Sequence, residues 1–174
     1  MDSSGNLYVA DWANNRVLYY LAGSTTASRV FGQDNIFTTA SMGTTATTLN
    51  NPTSVTLDSV GNLYVADYGN HRVLRYPVAD VAADGVYGQS GSFTTGTAYT
   101  SEDNLKSPEG VDIDANGNLY VADTYNNRVL YYPAGSTTAT RVYGQGGDFY
   151  TSTANKGGLS ANSLNQPTDV AVGA

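Results

Sequence analysis

Apolar and polar residues alternate with period 2 along this chain, in short runs broken by Gly, Pro, Asn and Asp. Leu7 and Val9 alternate with Tyr8 and Ala10, and the same four-residue string returns at Leu63 to Ala66 and Leu119 to Ala122. A second run follows each time: Val17 to Tyr20, Val73 to Tyr76, Val129 to Tyr132. A third is shorter, at Arg29 to Gly32, Gly85 to Gly88 and Arg141 to Gly144. A fourth follows a proline, at Pro52 to Leu57, Pro108 to Ile113 and Pro167 to Val172. β-Branched and aromatic residues in runs bounded by turn chemistry predict four short strands per unit.

The unit recurs with a fixed period. Gly5, Gly61 and Gly117 lie 56 residues apart and each opens Gly-Asn-Leu-Tyr-Val-Ala-Asp, dividing the single segment 1–174 into repeats of approximately 2–57, 58–113 and 114–174. The surplus over three periods is an insertion of three residues in the last repeat and an overrun, Val172 to Ala174, that overlays Met1 to Ser3. The turns agree with strand pairing. Asp58 to Asn62 and Asp114 to Asn118 place Asp at the turn entry and Gly where positive φ is needed. Asp67 to Arg72 is a second tight connection, with Asn70 suited to the left-handed region. Pro77 and Pro133 close the next strand, since proline cannot donate to a central ladder. Tandem four-stranded units of this size point to an all-β β-propeller.

The repeated core Gly-Asn-Leu-Tyr-Val-Ala-Asp-x-x-Asn-[Asn/His]-Arg-Val resembles the NHL repeat, most closely at Asn70-His71-Arg72. The resemblance spans essentially the whole chain and implies four-stranded blades, three per chain. It implies that the post-proline strand is innermost, the Gly-Asn-Leu-Tyr strand second, the Arg-Val-Leu strand third and the Arg-Val-Tyr-Gly strand outermost. The terminal strands are then offset, so that one blade is completed by the C-terminal strand. Three blades do not close a ring, because propellers usually have four to eight, and open ends expose unpaired edges. The expectation is a homodimer of six blades, each chain donating its last strand to the other. Nine blades from three copies, or a longer surface array continuing past Gly173-Ala174, are the alternatives.

Composition narrows the partners. Hydrophobic residues are 40% and aromatics 11%, enough for a packed core. Net charge is −7, and outside the repeated arginines only Arg29, Arg75, Arg141, Lys106 and Lys156 are basic. Some NHL propellers bind RNA, but a face without basic charge lacks the main driving term for phosphate, so no nucleic acid is expected. No apolar run reaches the roughly 20 residues of a membrane helix, so no membrane partner is expected. Met1-Asp2-Ser3-Ser4 leads straight into a strand pattern, with no room for a signal peptide. Acidity, abundant Thr and Asn and the lack of cysteine are compatible with a bacterial surface or secreted protein.

Candidate chemistry falls into three groups and one lone histidine. Asp11, Asp67 and Asp123 precede Arg16, Arg72 and Arg128 by five residues across a tight loop; repetition in every copy predicts a structural motif rather than a cation ring. Glu109, Asp112 and Asp169 break the repeat on or beside the innermost strands and are the candidates for an oxygen-ligated metal. His71 is the only histidine and stands where Asn15 and Asn127 stand in the other copies. By the resemblance, propeller lyases and lactonases carry several histidines or a fuller ligand set. No Gly-x-Ser-x-Gly elbow and no strand-linked Gly-x-Gly-x-x-Gly is present, so neither catalysis nor a cofactor is expected.

The third group lies on one face. The connections from Gly32 to Asn51, Gly88 to Ser107 and Gly144 to Gln166 run about twenty residues, long enough to suggest function. Each opens Gly-Gln and carries a phenylalanine, Phe37, Phe93 or Phe149, which recurrence assigns to plugging its own loop. Trp12, Tyr68 and Tyr125 on the Asp–Arg loops, with Tyr99 and Tyr150 on the long connections, are the candidate contacts. Flat rings among amides and hydroxyls suit a glycan or an extended peptide. The sequence therefore predicts a non-catalytic scaffold or binding module that self-associates, with a metal-dependent lyase or lactonase as the competing class.

Overall fold

The turn sequence Asp-x-x-Gly-Asn reverses the chain because its carboxylate gathers backbone N–H groups while its glycine takes positive φ. In the computed structural model, which describes residues 1–173, Asp58 Oδ1 accepts from Val60 N, Gly61 N and Asn62 N at 3.0, 2.9 and 2.9 Å, and Gly61 has φ +97°. Asp114 and Gly117 repeat the arrangement.

These hairpins build three antiparallel sheets. The first contains β1 (Leu7–Asp11), β2 (Arg16–Tyr20) and β3 (Arg29–Phe31). The second contains β4 (Pro52–Leu57), β5 (Leu63–Asp67), β6 (Arg72–Tyr76) and β7 (Gly85–Tyr87). The third contains β8 (Val111–Ile113), β9 (Leu119–Asp123), β10 (Arg128–Tyr132) and β11 (Arg141–Tyr143). Register is identical between copies: Val9 faces Leu18, Val65 faces Leu74 and Val121 faces Leu130. The all-β class and blade-like sheets of three or four strands follow the sequence expectation.

Three details differ from it. Pro108 to Gly110 lie outside β8, although Glu109 N still donates to Ala122 O and Ala122 N to Gly110 O, at 3.1 and 2.8 Å. Pro167 to Val172, expected as a strand, joins no ladder among the described residues. The left-handed residue of the Asp–Arg loop is Asn15, His71 or Asn127, at φ 52°, 55° and 55°, and not Asn70. Asn70 is instead buried as a hydrogen-bond donor. Ala174, where the third repeat is expected to end, lies outside the described residues.

Two apolar clusters join the sheets. Val17, Phe31 and Leu49 pack on Leu63, Val65, Leu74 and Tyr76 between the first and second sheets. Tyr64, Val73, Tyr87 and Leu105 pack on Leu119, Val121, Leu130 and Tyr132 between the second and third. Equivalent rings meet edge to face at both seams, with centroids 5.3 Å apart for Phe31–Tyr76 and 5.3 Å for Tyr87–Tyr132. β4 also lies along β8: Thr53 Oγ1 donates to Glu109 O at 2.9 Å and Thr56 Oγ1 to Asp112 Oδ1 at 3.2 Å.

Candidate functional site

The loops joining β1 to β2, β5 to β6 and β9 to β10 share one construction. The strand ends on Asp, a single 3-10 turn follows, one left-handed residue reverses the chain, and Arg opens the next strand. Asp67 Oδ2 accepts from Arg72 Nε and Asn70 Nδ2 at 2.7 and 2.8 Å, and Oδ1 accepts from Asn50 N at 2.7 Å. Arg72 Nη1 donates to Phe93 O at 2.7 Å, and Nη2 to Thr45 O and Thr48 O at 2.9 and 3.0 Å. Asp123 and Arg128 repeat this set with Lys106 N, Asn126, Phe149 O, Ser101 O and Asn104 O.

Both of these ion pairs are fully buried. Burial pushes the Asp67 and Asp123 carboxyls above their ordinary value, and the adjacent guanidinium opposes that shift. Asp11 and Arg16 keep the 2.7 Å contact, but their side chains are 24% and 20% exposed. Among the described residues Arg16 Nη2 has no acceptor, while Nη1 reaches Phe37 O. In the two buried copies every nitrogen and oxygen of the pair has a hydrogen-bond partner within the chain, an arrangement that sets loop shape.

A second layer of bonds ties each long connection to its loop. Gln33 Nε2 donates to Asn15 O and Ser41 O, Gln89 to His71 O and Thr97 O, and Gln145 to Asn127 O and Thr153 O. The recurring Gly-Gln was the sequence signal for this staple. The phenylalanines act partly through their backbone, each carbonyl serving an arginine. Phe93 and Phe149 also pack on the sheets, while the Phe37 ring stays exposed.

His71 performs the task of two asparagines. Asn15 Oδ1 accepts from Asn51 N and Asn127 Oδ1 from Gln166 N, both at 2.9 Å; His71 Nδ1 accepts from Ser107 N at 3.0 Å. A backbone N–H can only donate, so Nδ1 carries the lone pair and the ring is neutral, with its proton on Nε2. Burial first, and Lys106 second, lower the pKa of His71 from 6.5. His71→Asn should leave stability within about 0.5 kcal/mol. His71→Ala leaves the buried Ser107 N–H unpaired and should cost about 1–3 kcal/mol. Because the native pKa is lowered, the unfolded chain takes the proton first as pH falls. Stability should therefore be full above the ordinary histidine value and decline below it, a decline absent in His71→Asn. Urea denaturation of both proteins at pH 7 and pH 5 checks the sign.

Of the candidate aromatics, the structure brings two together. Tyr68 and Tyr125 meet edge to face with centroids 6.4 Å apart, Tyr125 exposed and Tyr68 half-buried. Tyr125, then partial burial, then the charge of Glu109 push the Tyr68 phenol above its ordinary range. Tyr99 is exposed at the rim of a recess of about 390 Å³ lined also by Gln89, Ser90, Thr95, Thr97 and Asn104. Trp12 is exposed on its own loop, and Tyr150 reaches across to donate to Glu102 Oε1 at 3.0 Å.

The acidic candidates are not gathered. Asp112 Oδ2 accepts from Val172 N at 2.8 Å and Asp169 Oδ1 from Val170 N at 2.9 Å. Among the described residues no three His, Asp or Glu side chains stand together as a metal set, so Glu109, Asp112 and Asp169 do not assemble the oxygen cage considered from sequence. Two of them instead spend carboxylate oxygens on backbone amides. A recess of about 440 Å³ lies away from the aromatic loops, between the turns at Asp2 and Asp58 and beside Tyr8, Tyr19 and Arg29. No described helix is long and apolar enough to cross a membrane.

Comparison with known proteins finds one family. The NHL repeat model matches residues 49–76 and 105–132, each covering the end of a long connection, the inner segment and the two strands around an Asp–Arg loop. No curated protein matches the chain.

Proposed function

Because this is an NHL-repeat chain, we propose that it is a non-catalytic β-propeller scaffold and binding module, which closes its ring with a second copy and presents its aromatic loop face to a glycan or protein. The observation that carries the binding reading is the Tyr68–Tyr125 pair on the same face as the Tyr99 recess. There, rings stand among amides and hydroxyls, above a network whose buried charges are already satisfied. Rings stack on the flat faces of sugars or on peptide groups, while Asn, Thr and Ser supply directional hydrogen bonds. A net charge of −7 favours neutral or basic partners over acidic ones.

The test is binding of neutral oligosaccharides and of neutral and basic peptides, measured by calorimetry on the wild type and on Tyr125→Ala and Tyr99→Ala. A ligand in one of these classes should lose about tenfold or more in affinity on loss of a ring at the centre of contact. Affinity unchanged in both variants, or no binding in either class, would overturn the reading.

A further inference from the structure

The two ends of the chain carry matching halves of an interface that the chain already makes twice internally. On the leading side, Leu7 is 43% exposed where its repeat equivalents Leu63 and Leu119 are 2% and 1% exposed. Tyr20 is half-buried where Tyr76 and Tyr132 are sealed under the ring of the preceding sheet. On the trailing side, Tyr143 is 44% exposed where Phe31 and Tyr87 are 2% and 6% exposed. Tyr143 is the ring that, one repeat earlier, would meet Tyr132.

The polar groups complement each other in the same way. Arg72 and Arg128 each aim Nη2 at two carbonyls of the preceding connection, Thr45 and Thr48 or Ser101 and Asn104. By repeat position the third such pair is Ser160 and Ser163, and among the described residues no arginine reaches them. Their turn is already shaped like the first: Ser160 N donates to Ser163 Oγ at 2.9 Å and Asn162 N to Ser160 Oγ at 3.3 Å, as Thr45 N donates to Thr48 Oγ1 at 2.9 Å and Thr47 N to Thr45 Oγ1 at 3.3 Å. Arg16 Nη2 is the donor left without such a pair.

The backbone offers a third match. β5 and β9 are paired on both edges, whereas β1 pairs only with β2. Pro167 to Val172 lies beside β8 as β8 lies beside β4, held by Thr124 Oγ1 to Pro167 O at 2.9 Å and Val172 N to Asp112 Oδ2 at 2.8 Å. Its own ladder partners are missing within the chain. Next to the free edge of β1 is a recess of about 200 Å³ lined by Met1, Tyr8, Val55, Thr56 and Leu57.

We propose that the third sheet and the Ser160 to Val172 segment of one copy dock on the first sheet of a second copy, repeating the internal sheet-to-sheet seam, and that two such seams close the assembly. Arg16 then takes the carbonyls of Ser160 and Ser163, Tyr143 covers Tyr20, and Pro167 to Val172 pairs with β1. The register follows from Val55 facing Val65 and Val111 facing Val121, and sets Val170 opposite Val9. This contact rests on the ring-closing part of the proposed function and specifies its surfaces.

The chain has no cysteine, so the register can be read by cross-linking. Val9→Cys chains mixed with Val170→Cys chains should form a mixed disulfide under mild oxidation, identified by peptide mass. Sedimentation of the wild type should give twice 18.3 kDa, and Arg16→Ala and Tyr143→Lys should each weaken the dimer at least tenfold with an unchanged far-ultraviolet spectrum. A wild-type dimer without the Val9–Val170 cross-link overturns this contact and leaves self-association standing. A monomer overturns both, and a trimer overturns closure by two copies.

Discussion

Arg72→Ala should destabilise the protein by about 3–5 kcal/mol, the range seen when one partner of a buried ion pair is removed. The loss has two sources. Asp67 stays fully buried with its carboxylate stripped of the guanidinium, and the carbonyls of Phe93, Thr45 and Thr48 lose their donor together. Those carbonyls belong to two different long connections, so the arginine clamps both to one loop. Arg72→Lys keeps the charge but not the planar fork, and should fall between alanine and the wild type. Arg16→Ala should cost a dissociated protomer less than about 1 kcal/mol, since its pair with Asp11 is part-exposed and its Nη2 is unused. Denaturant unfolding of the three variants, with Arg16→Ala measured below the association range, provides the comparison. Equal losses for Arg72→Ala and Arg16→Ala would refute this account of burial.

The second large effect is expected at Leu105, where alanine should cost about 2–5 kcal/mol by leaving a cavity in a packed seam. Leu105 is fully buried, lies between the second and third sheets and touches the space above Gly88. A Cβ built on Gly88 would stand 3.2 Å from Leu105 and 3.1 Å from His71 O, on a backbone already at φ +82°. Neighbours that tight cannot collapse into the vacated volume without moving the loop that carries Arg72, so the upper half of the range is expected. Leu164 holds the same repeat position under Gly144 but is only half-buried, so Leu164→Ala should cost visibly less in the protomer. Thermal unfolding of the two variants at one concentration reads the difference.

How much was legible beforehand depended on range. The strands, their hairpin turns and the Asp–Arg pairing lie within a few residues of one another, and the repeat showed each of them three times over. The Gly-Gln openings were equally visible, but their role was not, because the carbonyls that Gln89 binds sit 18 residues before it and 8 after it. His71 read as a turn residue; that its Nδ1 receives the amide of Ser107 depends on a contact 36 residues away. The metal candidates failed for a related reason. Three carboxylates near the predicted channel make a set by composition, yet in the fold Asp112 and Asp169 accept from the amides of Val172 and Val170, and a period-2 pattern does not encode a contact 60 residues away.

The local chemistry thus settles which residues form strands, where the chain turns and which Asp meets which Arg, since short-range sterics and neighbouring hydrogen bonds decide those. Packing decides the rest. It makes two of the three Asp–Arg pairs fully buried and leaves the third part-exposed, although the sequence around each is nearly the same, because only the second and third sheets have a preceding sheet whose connection is laid over their arginine. It also brings Tyr68 against Tyr125 while leaving Trp12 alone. Repetition writes the same strands three times. A sheet's neighbours determine what each copy can do.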